Sequence, residues 1–160
     1  MKDSLKKSLT APELLDRARR YCAMSEQCES GVRQKLIAWG ASPADVDPII
    51  ASLRSDDYLN DVRYARIYAE SKILQQHWGR QKVLYQLRLK HLSKEAIADA
   101  MRIVGDETYN AILADETAKK LQSLGGELTP DTRHRLQAFL ASRGFTIEEI
   151  NQVINNNSAL

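Results

Sequence analysis

The sequence predicts an all-α protein, an elongated array of three tandem three-helix repeats with about nine helices. Three observations carry this. Leu (19) and Ala (18) far outnumber Val (6), a balance that favours helix over strand. No stretch alternates apolar and polar residues for long, so strands are not signalled. The third observation is a repeat: three segments align without gaps, displaced by 51 and then 53 residues. A period of that size marks a unit that stacks on copies of itself.

The aligned segments read as long helix, turn, short helix. The first runs from Val32 and Leu36 through Gly40-Ala41-Ser42 to Val46, Ile49, Ile50 and Leu53. The second runs from Val83 and Leu87 through His91-Leu92-Ser93 to Ile97, Ala100, Met101 and Val104. The third runs from Leu136 and Leu140 through Gly144-Phe145-Thr146 to Ile150, Val153 and Ile154. In each short helix the apolar residues recur at i, i+3 and i+4, which is one helical face. Ser42, Ser93 and Thr146 stand at N-cap positions, where a hydroxyl can accept the free N–H groups of the first turn. Pro43 suits a first helical position, and Glu149 completes a capping box with Thr146. Gly40 and Gly144 suit the left-handed residue that ends the preceding helix; His91 holds that place in the middle copy and predicts some strain.

A further helix precedes each pair. Thr10-Ala11-Pro12-Glu13 opens the first, with Leu14, Ala18, Tyr21 and Cys22 inward. Asn60-Asp61 opens the second, with Ala65, Tyr68, Ala69 and Ile73 inward. Asp106-Glu107 opens the third, with Ile112, Leu113 and Leu121 inward. Ser25, Gly79 and Gly125-Gly126 interrupt the chain before the next helix in each case. The expected organisation is a disordered tail at 1–9, repeats at 10–57, 58–105 and 106–155, and a tail at 156–160. A unit of about 50 residues buries little surface alone, so its stability comes largely from its neighbours. Such an array presents a long surface, suited to grasping a large polymeric partner.

Composition excludes several classes. The 160 residues carry 23 Lys and Arg against 21 Asp and Glu, which is no uniformly basic nucleic-acid coat. No apolar run approaches the roughly 20 residues of a membrane-spanning helix. The N-terminus lacks the apolar stretch of a secretory signal, so a cytoplasmic protein is expected. Cys22 and Cys28 form no disulfide framework and are expected as free thiols. His77, His91 and His134 have no second ligand at helical spacing, and no phosphate-binding glycine motif occurs. Neither an enzyme nor a cofactor or metal is expected.

Charge is unevenly spread. Residues 62–90 hold seven Lys and Arg against one acid, between acidic stretches on either side. The basic stripe comprises Arg63, Arg66, Lys72, Arg80, Lys82, Arg88 and Lys90, with Tyr64, Tyr68, Trp78 and Tyr85 interleaved. Arginine grips carboxylates and phosphates in pairs, and Arg and aromatic residues anchor interfaces. The stripe reads either as a solvated face or as a docking patch, with Trp78-Gly79-Arg80 as an exposed anchor. Reversing Arg63, Arg80, Lys82 and Arg88 together separates the two: lost binding with retained helix supports a patch. A helix-turn-helix DNA-binding protein is the alternative. The short third helices are acidic or mixed, however, unlike a major-groove reader.

Several of these pieces together resemble the RecX family of RecA regulators. They are Val32-Arg33-Gln34-Lys35-Leu36 with the Gly40 turn, and Tyr58-Leu59-Asn60-Asp61-Val62-Arg63-Tyr64-Ala65 with Tyr68. Gly79-Arg80 with Leu84, Leu87 and Leu92-Ser93, and Phe139-Leu140-Ala141-Ser142-Arg143-Gly144-Phe145-Thr146 with Ile150, complete the match. The resemblance implies three three-helix repeats and a non-enzymatic modulator lying in the groove of the RecA–DNA filament. It implies lowered strand exchange, ATP hydrolysis and co-protease activity in recombination and the SOS response. The partner surface expected is Arg63, Arg66, Trp78, Arg80, Lys82, Arg88, Lys90 and Arg143, on a monomer. A weak contact with single- or double-stranded DNA accompanies it.

Overall fold

The computed structural model describes residues 7–158. The described chain is all-helical, in the order α1 (Ala11–Met24), α2 (Glu29–Ala38), α3 (Pro43–Ser55), α4 (Asp61–Leu74), α5 (Arg80–Leu89), α6 (Lys94–Ala100), α7 (Asp106–Ser123), α8 (Pro130–Ser142) and α9 (Ile147–Ser158). Residues 1–6, in the expected N-terminal tail, and 159–160, in the expected C-terminal tail, lie outside the described residues. Helix α9 runs on past Asn155 through the asparagines to Ser158, into the stretch expected as a tail. The described residues divide into two compact units, one of 7–64 with 90–92 and one of 65–89 with 93–158.

In the first unit, α1, α2 and α3 close over Leu14, Ala18, Cys22, Val32, Leu36, Val46, Ile49, Ile50, Leu53 and Leu59. Apart from Leu59, these are the residues the helical spacing turned inward, with Tyr21 only partly covered at the edge. Thr10 and Glu13 form a complete capping box on α1. Ser42 sits at the N-cap of α3, but its hydroxyl makes no capping bond. Burial, with Glu26 beside it, pushes the Cys22 thiol up, which leaves it a poor nucleophile.

Helix α2 has no capping side chain at Cys28. Its cap comes instead from 32 residues away: the Glu29 N–H donates to Asp61 Oδ1 at 2.9 Å. Asn60 Oδ1 accepts from the Arg63 N–H at 3.0 Å and caps α4. Leu59 is buried in the core, and Arg63 Nε donates to Glu26 at 2.6 Å. The Leu59–Arg63 piece is therefore a joint between the start of α4 and the end of the first repeat.

Glu29 also anchors an ion-pair network. Its Oε1 takes the Arg54 guanidinium at 2.6 Å and that of Arg33 at 3.1 Å; Arg33 reaches Asp47 at 2.6 Å. Burial alone would raise the Glu29 carboxyl, but the hydrogen bonds from Arg54 and Arg33 outweigh it and hold the carboxyl below its ordinary value. A depressed carboxyl adds stability above the unfolded-state value near 4.5, and loses it as pH falls through the folded-state value. Glu29→Gln should thus cost about 1 kcal/mol at pH 7, because solvent screens this half-exposed network. Urea midpoints at pH 7 and pH 3 check this: the gap between wild type and variant should close at the lower pH.

In the second unit α4 contributes Ala65, Ala69 and Ile73, α5 Val83 and Leu87, and α6 Ala96, Ile97 and Ala100. Helices α8 and α9 add Leu136, Leu140, Ile150 and Ile154. On α7 the inward residues are Tyr109, Leu113, Glu116 and Thr117, while Ile112 and Leu121 are half-buried. Helix α6 stops at Ala100, short of the expected Val104. The Val104 carbonyl accepts instead from the Arg80 guanidinium at 2.8 Å. Ser93 caps α6 as expected, and His91 adopts φ +57°, the left-handed turn for which Gly is the ordinary choice.

Candidate functional site

The second unit is organised around one backbone contact. The Gly79 N–H donates to the Arg143 carbonyl at 2.8 Å, and the Gln81 N–H to the Gly144 carbonyl at 3.1 Å. Gly79 is therefore not simply a helix breaker; the left-handed residue of that turn is His77, at φ +55°. A Cβ at Gly79 would lie 2.1 Å from the Gly144 carbonyl carbon, and one at Gly144 would lie 2.3 Å from Lys82 Cβ. Two chain segments that the sequence separates by more than sixty residues touch only because neither carries a side chain.

Tyr109 completes this clasp. Its ring is 1% exposed. Its hydroxyl accepts from the Arg80 N–H at 3.0 Å and donates to Glu149 Oε2 at 2.8 Å. Glu149 is thus taken by Tyr109, and its carboxylate does not close the expected capping box; only the bond from its N–H to the Thr146 hydroxyl, at 3.2 Å, forms. The start of α5 leaves the N–H groups of Gly79, Arg80, Gln81 and Lys82 without intrahelical acceptors, and Gly79 offers no capping side chain. The Arg143 carbonyl, the Tyr109 hydroxyl and the Gly144 carbonyl accept from the first three of these in turn. Burial, followed by the Glu149 carboxylate, pushes the Tyr109 hydroxyl upward, so it stays a donor.

The eight expected partner-binding residues separate into groups. Arg80 is structural: its guanidinium lies 4.0 Å over the Tyr109 ring and pairs with Asp106 at 3.0 Å. Arg66 makes a two-pronged contact with Asp99, at 2.5 and 2.8 Å. Arg143 lies 3.9 Å from Glu116 and 5.4 Å over the Phe139 ring. Glu116 in turn sits 2.6 Å from His77 Nδ1. In the first unit, Arg63 is held by Glu26 and Asp57, and the Lys90 carbonyl accepts from the Ser30 hydroxyl at 2.6 Å. Lys90 Nζ stands 5.9 Å from the Tyr64 ring, whose hydroxyl burial pushes up to about 12.

Trp78, Lys82 and Arg88 differ. Trp78 is half-buried rather than a fully exposed anchor, and Lys72 Nζ stands 4.8 Å and Lys82 Nζ 4.3 Å from its ring centroid. Arg88 is exposed and makes no ion pair among the described residues. Tyr85 and Leu89, on the same side of α5, are 60% and 56% exposed. The sequence signal for them existed: α5 buries Val83 and Leu87, which leaves Tyr85 and Leu89 as a second apolar pair on the outer side.

A basic and aromatic group in the first unit escaped sequence reasoning altogether. Arg17 lies 4.4 Å over the Trp39 ring, Tyr21 meets Trp39 edge-on at 5.7 Å, and Lys35 Nζ stands 5.6 Å from Tyr21. These residues are 14 to 22 positions apart or on different helices, and nothing in their spacing announces them. Among the described residues, no cluster of three or more His, Cys, Asp and Glu could hold a metal, and no helix is long and apolar enough to cross a membrane.

The second three-helix domain of RecX matches residues 60–101, and the third matches residues 107–154. The regulatory protein RecX of Yersinia enterocolitica serotype O:8 / biotype 1B is 30% identical over 168 residues, covering 90% of this chain and 97% of the relative. That of Escherichia coli strain K12 is 28% identical over 169 residues, covering 98% of both chains. The crystal structure of RecX from Lactobacillus salivarius shares the fold at TM-score 0.84 and 17% identity, over 94% of this chain and 97% of that one. With two repeats matched in register, and an end-to-end relative that shares nearly a third of its residues, the chain belongs to the RecX family of regulatory proteins.

Proposed function

We propose that this protein binds the RecA–DNA filament and lowers strand exchange, ATP hydrolysis and co-protease activity in recombination and SOS repair. It acts in the cytoplasm as a monomer, by contact rather than catalysis, and uses no cofactor. Its working units are the repeats 10–57, 58–105 and 106–155. The observation that carries this reading is family membership together with the Trp78 surface, where Lys72 and Lys82 meet no carboxylate among the described residues. Several weak contacts along one polymer add through effective concentration.

Added to RecA on circular single-stranded DNA, the purified protein should reduce ATP hydrolysis by more than half at substoichiometric ratios. Unchanged hydrolysis and unchanged filament length would overturn the reading. Of the eight expected contact residues, Arg63 and Arg80 are poor choices for charge reversal, since each balances a carboxylate inside its own unit. Lys82→Glu with Arg88→Glu is the cleaner test, and should raise the half-inhibitory concentration well beyond tenfold.

A second reading, direct DNA binding, is favoured by the group at Arg17, Lys35, Tyr21 and Trp39. Cations beside an aromatic face suit a single strand, through phosphate contacts and base stacking. The same titration against bare poly(dT) at rising salt distinguishes it, because phosphate-driven affinity falls steeply with salt.

A further inference from the structure

We propose that the outward face of α5, formed by Tyr85, Arg88 and Leu89 with Lys82 and Trp78 at one end, docks an acidic segment of the recombinase that presents a large apolar side chain. This rests on the RecA reading above and names what part of the partner the surface fits.

The face has three properties together. First, it is apolar where a solvated helix should be polar: Tyr85 and Leu89, one turn apart, are 60% and 56% exposed. The core side of the same helix is already satisfied by Val83 and Leu87, which are fully buried. Second, its charge is open. Arg66, Arg80 and Arg143, in the same unit, each face a carboxylate. Lys72, Lys82 and Arg88 have none within ion-pair distance among the described residues, and the two lysines stand close to the Trp78 ring centroid, at 4.8 and 4.3 Å. Third, the end of the face is rigid, because Gly79 and Gln81 are bonded to the 143–144 backbone and α5 is capped by Tyr109.

Charge complementarity decides the occupant. Three unpaired cations around exposed Tyr and Leu suit carboxylates that flank an apolar anchor, with Arg88 free for a two-pronged carboxylate contact. Tyr, Trp and Arg are also the residues on which interface energy concentrates. A second copy of this chain fits poorly, since a two-fold contact through this face would set cation against cation. A nucleic acid strand fits less well too: Leu89 offers no stacking surface, and three cations are few for a phosphate track.

The test uses the full chain and RecA filaments on single-stranded DNA, with ATP hydrolysis as readout. Tyr85→Ser with Leu89→Ser, and separately Arg88→Glu, should each raise the half-inhibitory concentration at least tenfold. Arg88→Gln should have the smaller effect of the two Arg88 changes. Helical circular dichroism and melting temperature should stay at wild-type values, because all three side chains are exposed. Ile37→Ser, an exposed apolar residue of the first unit, should inhibit like wild type. If wild type inhibits and the α5 variants inhibit equally well, the docking surface is wrong while the RecA reading stands. If wild type itself leaves hydrolysis unchanged, both fall. Equal losses of affinity for bare poly(dT) and for the filament would overturn the acidic-segment assignment in favour of nucleic acid.

Discussion

Gly79→Ala should lower the melting temperature by roughly 10 °C, an effect far beyond the loss of one hydrogen atom. The added Cβ would stand 2.1 Å from the Gly144 carbonyl carbon, 2.2 Å from its oxygen and 2.4 Å from the Phe145 nitrogen. All three are backbone atoms, so no side-chain rotation can relieve the clash. The segments must separate, which costs the Gly79–Arg143 and Gln81–Gly144 hydrogen bonds and loosens the packing of Phe145, itself buried. Overpacking at a site that cannot yield costs about 3 kcal/mol, which corresponds to about 10 °C in a chain of this size. Differential scanning calorimetry measures it. A control at Gly105, where a Cβ meets nothing within 4 Å, should move the midpoint by no more than about 2 °C. On the function proposed above, and because Trp78 and Arg80 flank Gly79, the variant should also inhibit RecA less at temperatures where it remains folded.

Removing the Tyr109 side chain should be similarly severe, and a pair of substitutions divides its two roles. Tyr109→Ala empties a fully buried ring site beneath the Arg80 guanidinium and beside Phe145, 5.7 Å away between centroids. A cavity of that kind costs about 3–5 kcal/mol. Tyr109→Phe keeps the ring and removes only the hydroxyl. The Arg80 N–H then lacks its acceptor and Glu149 its donor, a loss of about 1–2 kcal/mol. Urea unfolding followed by helical circular dichroism gives both values. Equal costs for the two variants would show that the hydroxyl bridge carries the stability; a Phe variant equal to wild type would show that only packing matters.

Much of the helical plan was legible in the residues. The capping box at Thr10–Glu13, the left-handed turns at Gly40 and Gly144, and the inward faces Val46-Ile49-Ile50-Leu53 and Leu136-Leu140 all follow from local spacing. These features depend on neighbours within a turn or two, and local propensity and amphipathic period report them directly. The site was less legible. A run of cations looks the same whether each is solvated, paired or stacked, because the difference lies in which carboxylate or ring arrives from elsewhere in the chain. Arg63, Arg66, Arg80 and Arg143 each meet an acid at least 26 positions away. Asp61, at the centre of the piece that carries the family resemblance, caps a helix that begins 32 residues earlier.

Sequence by itself determined that the chain is helical and thrice repeated, and where most helices begin, because periodicity, caps and breakers act over a few residues. It also placed a basic stripe in the middle repeat. Tertiary structure alone decided which members of that stripe are paired and which stay open. It spends most of the arginines on internal carboxylates, brings Gly79 against Gly144, and turns α5 so that Tyr85, Arg88 and Leu89 face solvent. The reason is physical: pairing, close backbone approach and exposure are properties of residues distant in the chain, and no local pattern records them.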